Sequence, residues 1–192
     1  MKNIIIATLF LALISCKTEV KNNAEVEKQA VEVETADPNY DPEAKIKELG
    51  IQLNPPSAPV ANFVNAVHTG DLIFLSGKGP LKSDGEYIKG KLGADLTIEE
   101  GYEAARTTAI NQLSVLKHEL GNLNKVKRIV KVKGMVNAAP DFTDHPKVIN
   151  GYSDLMVAIF GDHGKHARAA VGMGSLPSNI AVEIEMIVEV YD

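Results

Sequence analysis

Between residues 180 and 191 the chain alternates strictly. Ile180, Val182, Ile184, Met186, Val188 and Val190 fall on one side, and Ala181, Glu183, Glu185, Ile187 and Glu189 on the other. Side chains point to opposite faces every second residue of an extended chain, so this is a strand with one face to the core. A different period governs residues 98–120. Ile98, Tyr102, Ala105, Ala109, Leu113, Leu116 and Leu120 recur three and four apart, which places them on one face of a helix. Thr97 and Glu100 have the spacing of a capping box, and Gly121 is a natural stop. A second helix is predicted over 146–160, with Ile149, Tyr152, Leu155, Met156, Ile159 and Phe160 as its apolar face, Thr143 or Asp144 as cap and Gly161 as terminator.

Shorter segments complete the pattern. Residues 63–68 and 72–76 read as a strand pair about Thr69-Gly70-Asp71. Residues 126–137 read as a strand with valines at 126, 130 and 132, and with Lys125, Lys127, Ile129, Lys131 and Lys133 on its other side. That lysine stripe is either a solvated sheet face or a surface for an anionic ligand. Residues 168–175 are a further strand, expected to form a terminal hairpin with 180–191 through a turn at 176–179. One or two helical turns at 43–49 end at Gly50. Pro55, Pro56 and Pro59 enforce extended chain, and 82–93 is a loop or short hairpin. The order predicts an α+β domain at 43–192, a mostly antiparallel sheet with two helices on one face. The other face would mix lysines with Ile129 and Ile187, and such a half-apolar surface suggests association between subunits.

Charge and cysteine use narrow the function. A net charge of −5 over 192 residues argues against a nucleic-acid surface, whose footprint is basic. Cys16 is the only cysteine, so no internal disulfide forms and no cysteine nucleophile exists in the domain. Lys2 followed by the apolar run 4–14 suits a signal peptide over residues 1–15 and is too short to span a bilayer. Leu13-Ile14-Ser15-Cys16 resembles a bacterial lipobox, which implies cleavage before Cys16, lipidation of its thiol and an exported, membrane-anchored lipoprotein of the cell envelope. An ordinary signal peptide with an incidental cysteine is the alternative. Residues 17–42 are rich in Glu, Lys, Asn and Gln with scattered Val and Ala, too few large apolar side chains to form a core, and read as a tether.

No phosphate loop, GxSxG elbow or HExxH motif is present, and Ser76-Gly77-Lys78-Gly79-Pro80 does not make a phosphate loop. His163 and His166 lack a third ligand nearby, so no metal is expected. Arg168, framed by Ala167, Ala169 and Ala170, stands out, because a guanidinium among small side chains can take a carboxylate through two parallel hydrogen bonds. The competing reading is a structural salt bridge to Glu183 or Glu185.

Ser76-Gly77 after an apolar strand, Ala167-Arg168 followed by Val171, Leu176-Pro177 and Val182-Glu183-Ile184-Glu185 together resemble the Rid/YjgF family, the reactive intermediate deaminases also called endoribonuclease L-PSP. Gly134-Met-Val-Asn-Ala-Ala-Pro-Asp-Phe-Thr and Pro146-Lys-Val-Ile-Asn-Gly are similar to a less-characterised branch. The resemblance implies a chorismate-mutase-like fold, a homotrimer with clefts between subunits, no cofactor, and hydrolysis of enamine or imine carboxylates to 2-oxo acids and ammonia. It implies that Arg168 holds the substrate carboxylate and Glu183 positions the attacking water. Ser76, Gly77 and Asn150 would line the cleft. Phe63 stands where the family has a tyrosine, Lys78 replaces a glutamine, and Ala169 and Ala170 replace polar or cysteine residues. Phe63, Lys78 and Ala170 therefore still belong to the expected cleft, with fewer polar groups. A symmetric terminal hairpin would offset Arg168 and Glu183 by about four residues, or ~13 Å. A non-catalytic module that binds a small carboxylate or a protein on the same fold is the rival reading.

Overall fold

In the computed structural model, which describes residues 39–191, the two strongly periodic helices appear with their expected ends. The longer, α2 (Ile98–Leu120), opens on Thr97 in extended conformation. The Glu100 amide donates to Thr97 Oγ1 at 3.2 Å, and the Thr97 amide donates to Glu100 Oε2 at 2.8 Å. Gly121 closes it at φ 70°, a conformation costly for any residue with a Cβ. The second long helix, α3 (His145–Phe160), starts one residue before the expected 146, and Asp144 makes no side-chain cap bond. Its carboxylate instead lies 3.1 Å from the Lys147 amine. A short α1 (Pro42–Glu48) is capped by Asp41, whose side chain accepts from the Ala44 amide at 3.0 Å. Burial of Ile46 ties α1 to the core.

Five strands form one sheet: β1 (Ala66–Thr69), β2 (Leu72–Lys78), β3 (Val126–Asn137), β4 (Ala167–Met173) and β5 (Val182–Val190), in the order β1-β2-β5-β3-β4. The first strand is shorter than 63–68, leaving Phe63 and Val64 in the segment that leads into it. The expected terminal hairpin is absent. β5 inserts between β2 and β3, antiparallel to both, while β4 sits on the far edge, parallel to β3. The connection crosses β3 through a turn in which Ser178 and Asn179 both have positive φ, 53° and 57°. Short sequence separation favours pairing of neighbours, but β5 is apolar on one face and amphipathic on the other, and a central position buries more of it than an edge.

Register shifts between Val126 and Arg128 and between Ile129 and Lys131 also correct the expected lysine stripe. Each shift adds a residue to β3 and turns the following side chains over. Ile129 therefore lies in the core at 1% exposed, not on the open face.

α2 and α3 cover the face presented by Ile73, Leu75, Val132, Val136, Ile184, Met186 and Val188, all buried. Two glycines permit the close approach. A Cβ on Gly134 would strike the Ile149 side chain, and one on Gly151 would strike the backbone carbonyl of Tyr102 where the helices cross. The opposite face is open. Along one register row Val67, Phe74 and Ile187 lie side by side, with Val67 53% and Phe74 41% exposed. No helix among the described residues is long and apolar enough to cross a membrane. The signal-peptide reading, Cys16 and most of the tether lie outside the described residues.

Candidate functional site

Arg168 is on β4 opposite Val132, so its side chain runs under α3. Its Nη1 donates to Asn150 Oδ1 at 2.9 Å and to Ser153 Oγ at 3.0 Å, both on α3. The sequence-level alternative of a salt bridge to Glu183 or Glu185 is therefore not what forms. Glu185 faces Lys133 at 3.5 Å instead. Nη1 has two hydrogens and both are used, while Nε and Nη2 find no acceptor among the described residues. That free edge is the two-donor fork that fits a carboxylate. Ala170, two residues along β4, shares this side of the sheet. Farther along, Gly172 lies against the His145 ring, which a Cβ would strike.

Ser153 is singled out by no motif in the sequence, and His166, which the sequence offers only as half of a metal-ligand pair, belongs with it. His166 Nδ1 is 2.7 Å from the Gly164 carbonyl, and its Nε2 is 3.0 Å from Ser153 Oγ. A carbonyl can only accept, so Nδ1 carries the hydrogen and Nε2 is a bare acceptor for the Ser153 hydroxyl. Burial, and then the Arg168 charge, hold the His166 pKa below its ordinary value, against the Gly164 carbonyl, which acts the other way. Asn150 and Ser153 are one helical step apart. That spacing was a usable signal, but nothing in the sequence says which strand lies beneath.

Glu183 pairs with Met135 three positions farther along β3 than Val132, and so faces the open side. Its carboxylate rests on Gly77, where any Cβ would collide with Glu183 Oε1. Gly77 lies in a register irregularity between Leu75 and Lys78. Gln112, fully buried in α2, donates from Nε2 to the Ser76 carbonyl at 3.0 Å and the Ile184 carbonyl at 2.8 Å. It thus satisfies backbone groups that the irregular pairing leaves without a strand partner. A polar residue inside a helix's apolar stripe was the only trace of this in the sequence. Burial raises the Glu183 pKa, the neighbouring Glu185 charge adds to this, and Lys133 opposes both.

The remaining expected residues divide between commitments. Ser76 Oγ donates to the Val64 carbonyl at 2.6 Å, and Phe63 is half-exposed beside that segment. Lys78 donates to Asn65 Oδ1 at 2.6 Å, and burial lowers its pKa. It also lines a cavity of about 320 Å³ with Asn54, Tyr87 and Asn111, the only one of the named site residues there. His163 is held by the Lys127 carbonyl and stacks at 4.6 Å on Tyr40.

The structure thus gathers the expected residues into two groups, not one. Arg168, Asn150 and Ala170 lie on the helix side at the β4 edge. Glu183, Ser76 and Gly77 lie around the open face at β2 and β5. Val132 and Met135, their partners on β3, are three residues apart and point oppositely. The expected ~13 Å offset along a hairpin is replaced by a separation across β3 and through the sheet.

Residues 43–190 match the family model described as YjgF/chorismate mutase-like, with endoribonuclease as the activity its description suggests. Protein TCP17 of Trypanosoma cruzi is 43% identical over 147 residues, covering 76% of this chain and 92% of its own length. Among solved structures, Atu1372 of Agrobacterium tumefaciens, of unknown function, is 40% identical with a TM-score of 0.72 over 78% of this chain and 92% of that one. A candidate endoribonuclease from Shewanella oneidensis is 31% identical with a TM-score of 0.75 over 78% of this chain and 99% of that one. By its matched sequence and by its fold, the chain belongs to the YjgF/chorismate mutase-like family.

Proposed function

We propose that the protein hydrolyses small imine or enamine carboxylates to 2-oxo acids and ammonia in a site shared between subunits, and that no cofactor takes part. The observation that carries this reading is the division of the site. Arg168 keeps an unoccupied two-donor edge on one surface of the chain, while Glu183, with a raised pKa, sits against Gly77 on another. A contact joining two different surfaces is head-to-tail and closes into a ring when its rotation is a whole fraction of a turn, and the trimer implied by the resemblance is such a ring. The apolar row of Val67, Phe74 and Ile187 gives that contact a surface worth burying.

The chemistry asks little of the protein. A protonated imine carbon is already electrophilic. Arg168 fixes the carboxylate, and Glu183 of the neighbouring copy takes a proton from the attacking water. A carboxyl group whose pKa burial raises above its ordinary value is a stronger base for that exchange. Phosphate-backbone binding is disfavoured by the net charge of −5, and two of the three lysines of β3 are partnered by acids: Lys127 with Glu189 at 3.1 Å and Lys133 with Glu185 at 3.5 Å.

The test is turnover of 2-iminopropionate, made in situ from alanine by an amino-acid oxidase. Purified protein should release pyruvate and ammonia above the uncatalysed rate and sediment as a trimer. Carboxylate binding without turnover would favour the non-catalytic module. The export proposal has a separate check. Cells fed labelled fatty acid should label the full chain, and Cys16→Ser should abolish the label; an unlabelled wild type refutes the anchor.

A further inference from the structure

We propose that the cavity of about 320 Å³ between residues 54–57, the 78–87 loop and α2 is a second ligand site, which takes a small organic oxyanion, a carboxylate or a phosphate ester, on the Lys78 ammonium. The inference stands apart from the imine-hydrolase reading, since it uses neither Arg168 nor Glu183.

Charge and burial point to the ligand. In a chain of net charge −5, this cavity is lined by two lysines and no acid. Lys82 is already paired, with Asp84 at 2.8 Å. Lys78 is partly buried and meets no carboxylate among the described residues. Its ammonium has three hydrogens. One goes to Asn65 Oδ1 at 2.6 Å, and the other two find no acceptor among the described residues. Burial lowers its pKa, and no neighbouring charge acts against that. A partly buried cation without a counter-ion is costly, and an anion bound beside it would offset the cost.

The walls are held by the protein's own hydrogen bonds. Asn111 on α2 donates both Nδ2 hydrogens, to the Gly79 carbonyl at 3.0 Å and the Leu81 carbonyl at 3.1 Å, which pins the loop to the helix. The loop closes on itself, with the Lys82 amide donating to the Glu86 carbonyl at 2.9 Å and the Ile88 amide to the Pro80 carbonyl at 3.1 Å. Asn65 accepts from Lys78 and donates from Nδ2 to the Ser57 carbonyl at 3.0 Å, so one side chain holds both the amine and the proline segment. Ser57, Ser83 and Tyr87 line the cavity, and their hydroxyls make no hydrogen bond among the described residues. Pro55, Pro56, Leu81 and Val115 supply apolar wall. An ammonium, hydroxyls and apolar surface together suit an oxyanion carried on a small apolar body. The volume lies at the lower end of ordinary ligand pockets, ~300–1,000 Å³.

The cavity is separate from both halves of the imine site. Lys78 pairs with Ile184 and so shares the helix side, while Glu183, next along β5, faces the open side. Arg168 lies on β4, three strand spacings from β2, or ~14 Å at ~4.8 Å each. None of the residues lining the cavity comes from β3, β4 or β5.

The experiment is isothermal titration calorimetry of the Arg168→Ala protein, in which the carboxylate fork is gone, with benzoate and with phenyl phosphate. One of the two should bind saturably, about one per chain, and the tighter names the anionic group. Adding Lys78→Gln, which keeps a donor for Asn65 and removes the charge, should weaken that binding by about 10- to 100-fold, in keeping with loss of a charge-assisted hydrogen bond. A measurement on the unaltered chain depends on no variant folding. Saturating probe should slow acetylation of Lys78 by acetic anhydride several-fold, read by peptide mass spectrometry, and leave the exposed Lys147 unchanged. Binding indifferent to Lys78→Gln overturns the proposal. So does the absence of saturable binding of either probe up to about 10 mM, or acetylation of Lys78 at the same rate with and without probe.

Discussion

Arg168→Ala should reduce kcat/KM for 2-iminopropionate by about 100- to 1000-fold, equivalent to about 2.7–4 kcal/mol of transition-state binding. Two contributions add. A substrate carboxylate would lose a two-bond anchor, and the Asn150 and Ser153 side chains lose the donor that organises them. Arg168→Lys separates charge from shape. Lysine restores a point charge but not the fork, and its single ammonium cannot hold Asn150, Ser153 and a carboxylate in the same plane, so recovery should be partial. Competition by pyruvate, the product, gives a second readout, since its inhibition should weaken in parallel with substrate capture. Full activity in Arg168→Ala would remove the carboxylate anchor and the intersubunit site with it.

The largest effect on folding should come from the smallest change in the helices. Gly151→Ala should destabilise the domain by about 3 kcal/mol, the upper part of the usual range for overpacking, seen as a lower urea midpoint with little change in slope. The added Cβ would land on the Tyr102 carbonyl, a backbone atom that cannot swing aside as a side chain can. Relief requires α2 and α3 to separate, which would pull Ile149 and Tyr152 away from the sheet they bury. By comparison, Gly134 faces the flexible Ile149 side chain, so Gly134→Ala should cost less. Equal stability of Gly151→Ala and wild type would mean that the helix crossing is looser than its contacts indicate.

Much of the fold was legible because local physics fixes local structure. The three-and-four spacing of α2, its Thr97–Glu100 cap and the Gly121 stop are decided within one helix. The strict alternation of β5 needs only its own residues. The errors share one cause, since each concerned what an element packs against. Sequence adjacency predicts β5 beside β4, yet hydrogen bonds between strands carry no record of sequence distance. Period two puts Ile129 on the open face because it assumes an unbroken ladder, and two register shifts in β3 break it. Gln112 and Ser153 give no signal of their partners because a polar residue in a helix says nothing of whether a carbonyl or an imidazole will lie opposite.

The candidate site divides in the same way. Arg168, Glu183, Ser76, Gly77 and Asn150 could be named from the chain, because a guanidinium, a carboxylate and a glycine carry their chemistry wherever they sit. Whether two of them can touch one substrate is set by strand order and by side-chain parity. Sequence alone determined the elements, the family and the chemical inventory, all of which depend on residues close together in the chain. Only the tertiary structure decided that the inventory falls on opposite sides of the sheet, and that Ser153 and His166 belong with Arg168. Contacts between segments far apart in the chain arise from burying the whole apolar surface at once, and no local stretch encodes that solution.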